Sequence, residues 1–81
     1  MTLRIVSFAG VRELIGAGQR TLEIGEGSSV GDAWNALARE FPKLRELERS
    51  IRLARNGALV EREAPLHEGD ELALMPPFGG G

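Results

Sequence analysis

Few side chains in this 81-residue chain are equipped for chemistry. It has no cysteine and no tyrosine, and its one histidine, His67, stands in a polar run beside Glu68 and Asp70. Thiolate nucleophiles, disulfides, thiolate metal sites and iron–sulfur clusters are therefore excluded within the chain. Hydroxyls are few and several fall at turn or cap positions, so no Ser-His-Asp or Cys-His constellation can be assembled convincingly. A metal centre needs several convergent ligands, and His67 with scattered carboxylates lacks that spacing; His67 is expected at the surface and no metal is expected. Gly25 to Ser29 precedes a helical pattern but has neither the P-loop lysine nor the Rossmann glycine spacing, and reads as a turn and cap.

What remains is the last stretch, Leu74-Met75-Pro76-Pro77-Phe78-Gly79-Gly80-Gly81. Pro76 and Pro77 restrict the backbone as it leaves an apolar run, and Gly79, Gly80 and Gly81 then remove every Cβ, leaving a thin segment that ends in a carboxylate. Extended, the four residues after Pro77 reach roughly 13 Å, enough to enter a narrow slot in another protein. The expected organisation is a folded body over residues 1–77 and a flexible tail over 78–81.

The charge pattern narrows the partners. A formal net charge of −2 with interspersed signs gives no basic footprint for nucleic acid. No leader or spanning segment is expected, since Met1-Thr2-Leu3-Arg4 runs directly into a strand pattern, and the expected location is cytoplasmic. Nine arginines stand against one lysine, Lys43. Genomic base composition accounts for such a bias. A chemical account is that guanidinium stays unreactive where an amine would be acylated by an activated C-terminus of the same chain.

The elements that must position the tail follow from periodicity. Thr2 to Ala9 reads as a strand with Leu3, Ile5 and Ser7 on one face and Arg4, Val6 and Phe8 on the other. Gly10 to Gly16 reads as a connection of about one helical turn, and Gln19 to Ile24 as a second strand pairing antiparallel with the first. Ser29 and Asp32 form a variant capping box ahead of a helix. Its apolar stripe, Val30, Ala33, Trp34, Leu37, Ala38 and Phe41, keeps helical spacing until Pro42 ends it. Trp34 and Phe41 are expected to pack the helix on the sheet. Lys43 to Ser50 reads as a short helix or turn-rich connection. Ile51 to Arg55 and Ala58 to Glu61 flank Asn56-Gly57, a strong hairpin signal. Glu71 to Met75 is the final strand.

This order is that of an α+β, ubiquitin-like β-grasp fold: a mixed sheet with one main helix on one face and the first and last strands side by side and parallel. Parallel pairing is expected to bring the chain's end to the sheet's far edge. Parity then leaves Val6, Phe8, Leu59, Ala73 and Met75 on the face away from the helix. Such a patch on a small protein reads as a docking surface, with Phe8 and Met75 as anchors and Arg12 and Arg55 at its rim.

The sequence resembles the small subunits of molybdopterin synthase, members of the ubiquitin-like sulfur carrier group. The resemblance rests on Phe8-Ala9-Gly10-Val11-Arg12-Glu13-Leu14-Ile15-Gly16, on Asn56-Gly57-Ala58-Leu59-Val60, and on Pro65 through Gly81, and it covers the whole length. The chain departs from the family pattern at Phe78, where valine is commoner, and at Gly79, where a small hydroxyl residue or alanine is commoner. The resemblance implies no bound cofactor. It implies that an adenylating activating enzyme uses ATP on the carboxylate of Gly81, and that a sulfur donor protein then converts it to a thiocarboxylate. The thiocarboxylate would deliver sulfur to cyclic pyranopterin monophosphate within the large subunit of the synthase, in a heterotetramer. The patch around Phe8, Leu59 and Met75 would dock both partners in turn. Two other readings share the fold and tail: a sulfur carrier for thiamine or tRNA thiolation, and a ubiquitin-like modifier or adaptor.

Overall fold

The computed structural model describes residues 1–76. Strand β1 (Thr2–Ser7) buries Leu3, Ile5 and Ser7 and leaves Arg4 and Val6 on the other side, the alternation expected for it. The chain then enters α1 (Ala9–Ile15), which is two turns long rather than the single turn expected. Val11 and Ile15, one helical turn apart, are both buried, and that pair gives the segment a reason to stay helical. No side chain caps its start: Phe8 is extended and Ala9 takes a φ of 48°. Gly16, at a φ of 86°, closes it with an N–H bond of 2.8 Å to the Arg12 carbonyl.

Strand β2 (Gln19–Glu23) runs antiparallel to β1, with Leu22 opposite Leu3. The principal helix, α2 (Val30–Glu40), begins with the capping box read from the sequence: Ser29 Oγ accepts from the Asp32 N–H, and the Asp32 carboxylate accepts from the Ser29 N–H. Val30, Ala33, Trp34, Leu37 and Ala38 are buried against the sheet. Trp34 has no exposed surface, whereas Phe41 is half-buried and covered by the Arg20 guanidinium, 5.3 Å from its ring centroid. Pro42–Leu47 forms a 3-10 turn that buries Leu44.

Strands β3 (Arg52–Arg55) and β4 (Ala58–Leu59) join through Asn56-Gly57, whose φ values of 50° and 88° suit the two left-handed positions of a tight hairpin. β4 stops short of the expected Glu61 because the chain is diverted to the start of α2. There the Arg62 carbonyl accepts from the Gly31 N–H at 2.8 Å and the Ala64 carbonyl from the Val30 N–H at 2.9 Å, satisfying donors that a helix start leaves open.

Strand β5 (Glu71–Met75) completes a five-stranded sheet in the order β2-β1-β5-β3-β4. It is parallel to β1 and antiparallel to β3. The side-by-side first and last strands are thus as expected, but the exit is not at a lateral edge: β5 is the middle strand, and the chain leaves from the end of the sheet's centre. With α2 on one face of this mixed sheet, the arrangement is the β-grasp. Pro76 follows β5 and is half-buried. The expected boundary between body and tail, and Pro77, Phe78, Gly79, Gly80 and Gly81 themselves, lie outside the described residues. No helix among the described residues is long and apolar enough to cross a membrane.

Candidate docking face

The face of the sheet turned away from α2 is built by register. Val6 of β1 stands opposite Ala73 of β5, Ala73 opposite Ala54 of β3, and Ala54 opposite Leu59 of β4. Three interstrand spacings of about 4.8 Å make this apolar row about 14 Å long. One residue pair further towards the exit, Met75 stands opposite Arg52. Phe8 is extended with a ψ of 155°, so it continues the alternation of β1 and follows Val6 on this face. Among the described residues, Phe8 and Leu59 are the exposed large apolar side chains, at 48% and 55% of their surface. Val6 and Met75 are half-buried. The two central alanines, 4% and 8% exposed, form a shallow floor between larger neighbours.

Charge borders this row. At the end remote from the exit, Arg4 and Glu71 are opposite one another and joined by an ion pair of 2.8 Å. At the exit end stands the exposed Arg52. A cleft of about 330 Å³, lined by Arg52, Leu59, Glu61 and Arg62 among others, opens beside β3 and β4.

The structure therefore brings Val6, Phe8, Leu59 and Met75 to one face. Arg12 is exposed on α1, and its side chain lies alongside Gly18, just before β2. Arg55 is not a rim residue of this face. It pairs with Leu72 and Ala58, so it shares its parity with Leu53 on the helix side, and its Nη1 donates to the Pro65 carbonyl at 2.6 Å. The rim cation is Arg52. The turn signal could have found both Arg52 and Ala54: a two-residue loop at Asn56-Gly57 makes Ala54 the partner of Leu59, and Arg52 lies two residues back on the same side.

Among the described residues no group of three or more His, Cys, Asp or Glu could hold a metal ion. His67 is exposed, with Nδ1 3.8 Å from the Asp70 carboxylate, beyond hydrogen-bond range. The Asp70 carboxyl is held below its ordinary range, chiefly by the Asn56 side chain at 2.9 Å, against the opposing effect of burial, with the His67 backbone N–H adding to the lowering. Asn56 also accepts from the Glu71 N–H at 2.9 Å, so this cluster ties the β3–β4 turn to the start of β5. It sits at the end of β5 opposite the exit and reads as structural.

Comparison with known proteins places these features among relatives. The ThiS family matches residues 5–81. The molybdopterin synthase sulfur carrier subunit of Arabidopsis thaliana is 34% identical over 98% of this chain and 82% of its own length. The molybdopterin synthase sulfur carrier subunit of Chlamydomonas reinhardtii is 32% identical over the full length of both. The small archaeal modifier protein 1 of Haloferax volcanii is 34% identical over 91% of this chain and 94% of its own. Its crystal structure superposes over all of both chains with a TM-score of 0.88 at 29% identity.

Proposed function

The chain belongs to the ThiS family, and from that premise we propose that it is the sulfur carrier subunit of a molybdopterin synthase. The observation that carries this reading is the likeness, over essentially the whole chain, to sulfur carrier subunits of that synthase. The docking face agrees with it, since an apolar row with a cationic rim beside the exit of β5 gives a large subunit something to hold while the tail enters its active site.

In this reading the reacting atom belongs to the C-terminal carboxylate of Gly81. A free carboxylate is a poor acyl donor. In the activating enzyme one of its oxygens attacks the α-phosphorus of ATP, pyrophosphate leaves, and an acyl adenylate forms. The terminal sulfur of a persulfide on the donor protein attacks the acyl carbon and AMP leaves with the electron pair; a second thiol then cleaves the S–S bond of the resulting acyl disulfide, and the thiocarboxylate is released. The carrier then docks on the large subunit, where the thiocarboxylate sulfur attacks a carbon of cyclic pyranopterin monophosphate and an oxygen leaving group departs with its electron pair; water then cleaves the resulting thioester, which leaves the sulfur on the substrate and restores the Gly81 carboxylate. The chain itself supplies the acyl group, the tail formed by Pro76, Pro77, Phe78, Gly79 and Gly80, and a rigid platform. Catalytic groups come from its partners, and holding the sulfur in place supplies the proximity that the transfer needs.

Intact-mass spectrometry after incubation with the activating enzyme, ATP and a sulfur donor tests this. Replacement of one terminal oxygen by sulfur is expected, and is expected to disappear when Gly81 is deleted. A chain that never acquires sulfur would sink the reading. The likeness to an archaeal modifier protein favours a second reading, in which the same acyl group is passed to amines of other proteins. Adducts of this chain with other proteins, in place of the sulfur-bearing form, are its signature.

A further inference from the structure

Phe8 sits at the junction where β1 turns into α1, and the backbone on either side of it is anchored. Before it, the buried Ser7 is tied twice to the loop ahead of β2: its Oγ donates to the Ala17 carbonyl at 2.8 Å and its N–H to the Gly18 carbonyl at 2.9 Å. After it, the Phe8 carbonyl accepts from the N–H groups of Val11 and Arg12, at 3.1 and 3.2 Å. Only Ala9 and Gly10 intervene between that carbonyl and Val11. Ala9 has a φ of 48°, in the left-handed region where a Cβ crowds the carbonyl oxygen that follows it. Asn56, the other non-glycine residue at positive φ among the described residues, is of a type enriched there. Alanine is not, and the methyl group of Ala9 is exposed, so its own packing gives no reason for alanine at this position.

Resting on the sulfur-carrier reading, we propose that Ala9 is a positioning residue for docking: held left-handed, it locks the link from Phe8 to α1 and so presents the Phe8 ring to the large subunit in one orientation before contact. The ring is about half exposed, so packing directs it only in part and the backbone must do the rest. Alanine at positive φ is confined to one small well, whereas glycine reaches that well and the regions on both sides of φ = 0. A glycine in place of Ala9 would put two glycines in succession between Phe8 and Val11, and the added freedom would be lost again each time the partner binds. Glycine's extra freedom over alanine corresponds to about two- to fivefold in an equilibrium constant. The left-handed conformation itself is easier for glycine, so substitution should move two properties in opposite directions: the fold gains stability while docking weakens. A turn with a merely structural role would show the first change alone.

The test is a double-mutant cycle on the full chain: wild type, Ala9→Gly, Phe8→Ala and the two together, each titrated calorimetrically with the large subunit of the synthase, melted, and measured by 15N relaxation in the free state. Ala9→Gly is expected to raise Tm by about 2–8 °C, the relief of strain less glycine's greater freedom in the unfolded chain. It is expected to raise Kd about two- to fivefold and to lower the order parameter of the Phe8 amide from about 0.85 towards about 0.6. In the Phe8→Ala background the same substitution is expected to leave Kd within about 1.5-fold, because no ring remains to be aimed. A Kd for Ala9→Gly within about 1.5-fold of wild type, an equal loss in both backgrounds, or a fall in Tm overturns the proposal and leaves the sulfur-carrier reading standing. Failure of the wild-type chain to bind the large subunit overturns both.

Discussion

Truncating Phe8 to alanine separates docking from folding. Phe8 is about half exposed and lies outside the cluster of core residues, unlike Leu3 and Ile5 on the opposite side of the same strand. Taking about 200 Å² for a phenylalanine side chain, nearly half of it, about 100 Å², is available to a partner. At about 25 cal/mol per Å², burying that area on docking contributes about 2.5 kcal/mol, so Phe8→Ala should raise the Kd for the large subunit about 70-fold. The folded chain should lose less than about 1 kcal/mol, a fall in Tm of under about 8 °C for a domain of this size. Isothermal titration of the large subunit and thermal melts of the free chain measure the two quantities on one sample. A Kd within threefold of wild type, or a Tm drop above 15 °C, would refute the assignment of Phe8 to an open docking face.

Two further predictions concern the body. At Gly31 a Cβ would stand 3.3 Å from the Arg62 carbonyl oxygen and 3.4 Å from its Cβ, in a loop-to-helix contact tied by the Gly31 N–H bond to that same carbonyl. Gly31→Ala should therefore destabilise by about 1–2 kcal/mol in denaturant titration, despite the helix propensity it gains; a stabilised variant would show that residues 62–64 yield freely. Asp70, with its carboxyl pKa lowered in the folded state chiefly by Asn56, stabilises the fold fully above the ordinary aspartate value of 3.8 and loses that contribution as pH falls through the lowered value. Asp70→Asn should lower Tm at pH 6 and approach wild type near pH 2, whereas an offset that stays constant with pH would show that the carboxylate's charge is irrelevant.

Much of this was legible in the sequence, for physical reasons that differ by element. β1, α2 and β5 each bury one complete face, so their periods were visible in residue type, and Ser29 with Asp32 marked the helix start through side chains that do the capping. α1 was understated because its start is made by backbone conformation at Phe8 and Ala9, with no capping side chain to read. β4 was overstated because its end is set by a tertiary demand, the donors of Val30 and Gly31, which local propensity does not contain. Val6, Phe8, Leu59 and Met75 stand on the sheet face that alternation in the sequence assigns them. Arg55 was misplaced because hairpin register was not propagated from the turn, although Leu59 and Arg55 cannot share a face when Ala54 is the partner of Leu59.

The central place of β5 also has a mechanical meaning. Load applied to the tail passes into a strand flanked on both sides, by β1 running parallel to it and by β3 running antiparallel. A pull along the tail, away from the body, loads both ladders in shear, so their hydrogen bonds bear the force together and do not unzip one at a time. Seated between two ladders, β5 holds Met75 as a fixed anchorage at the point where the chain leaves the sheet.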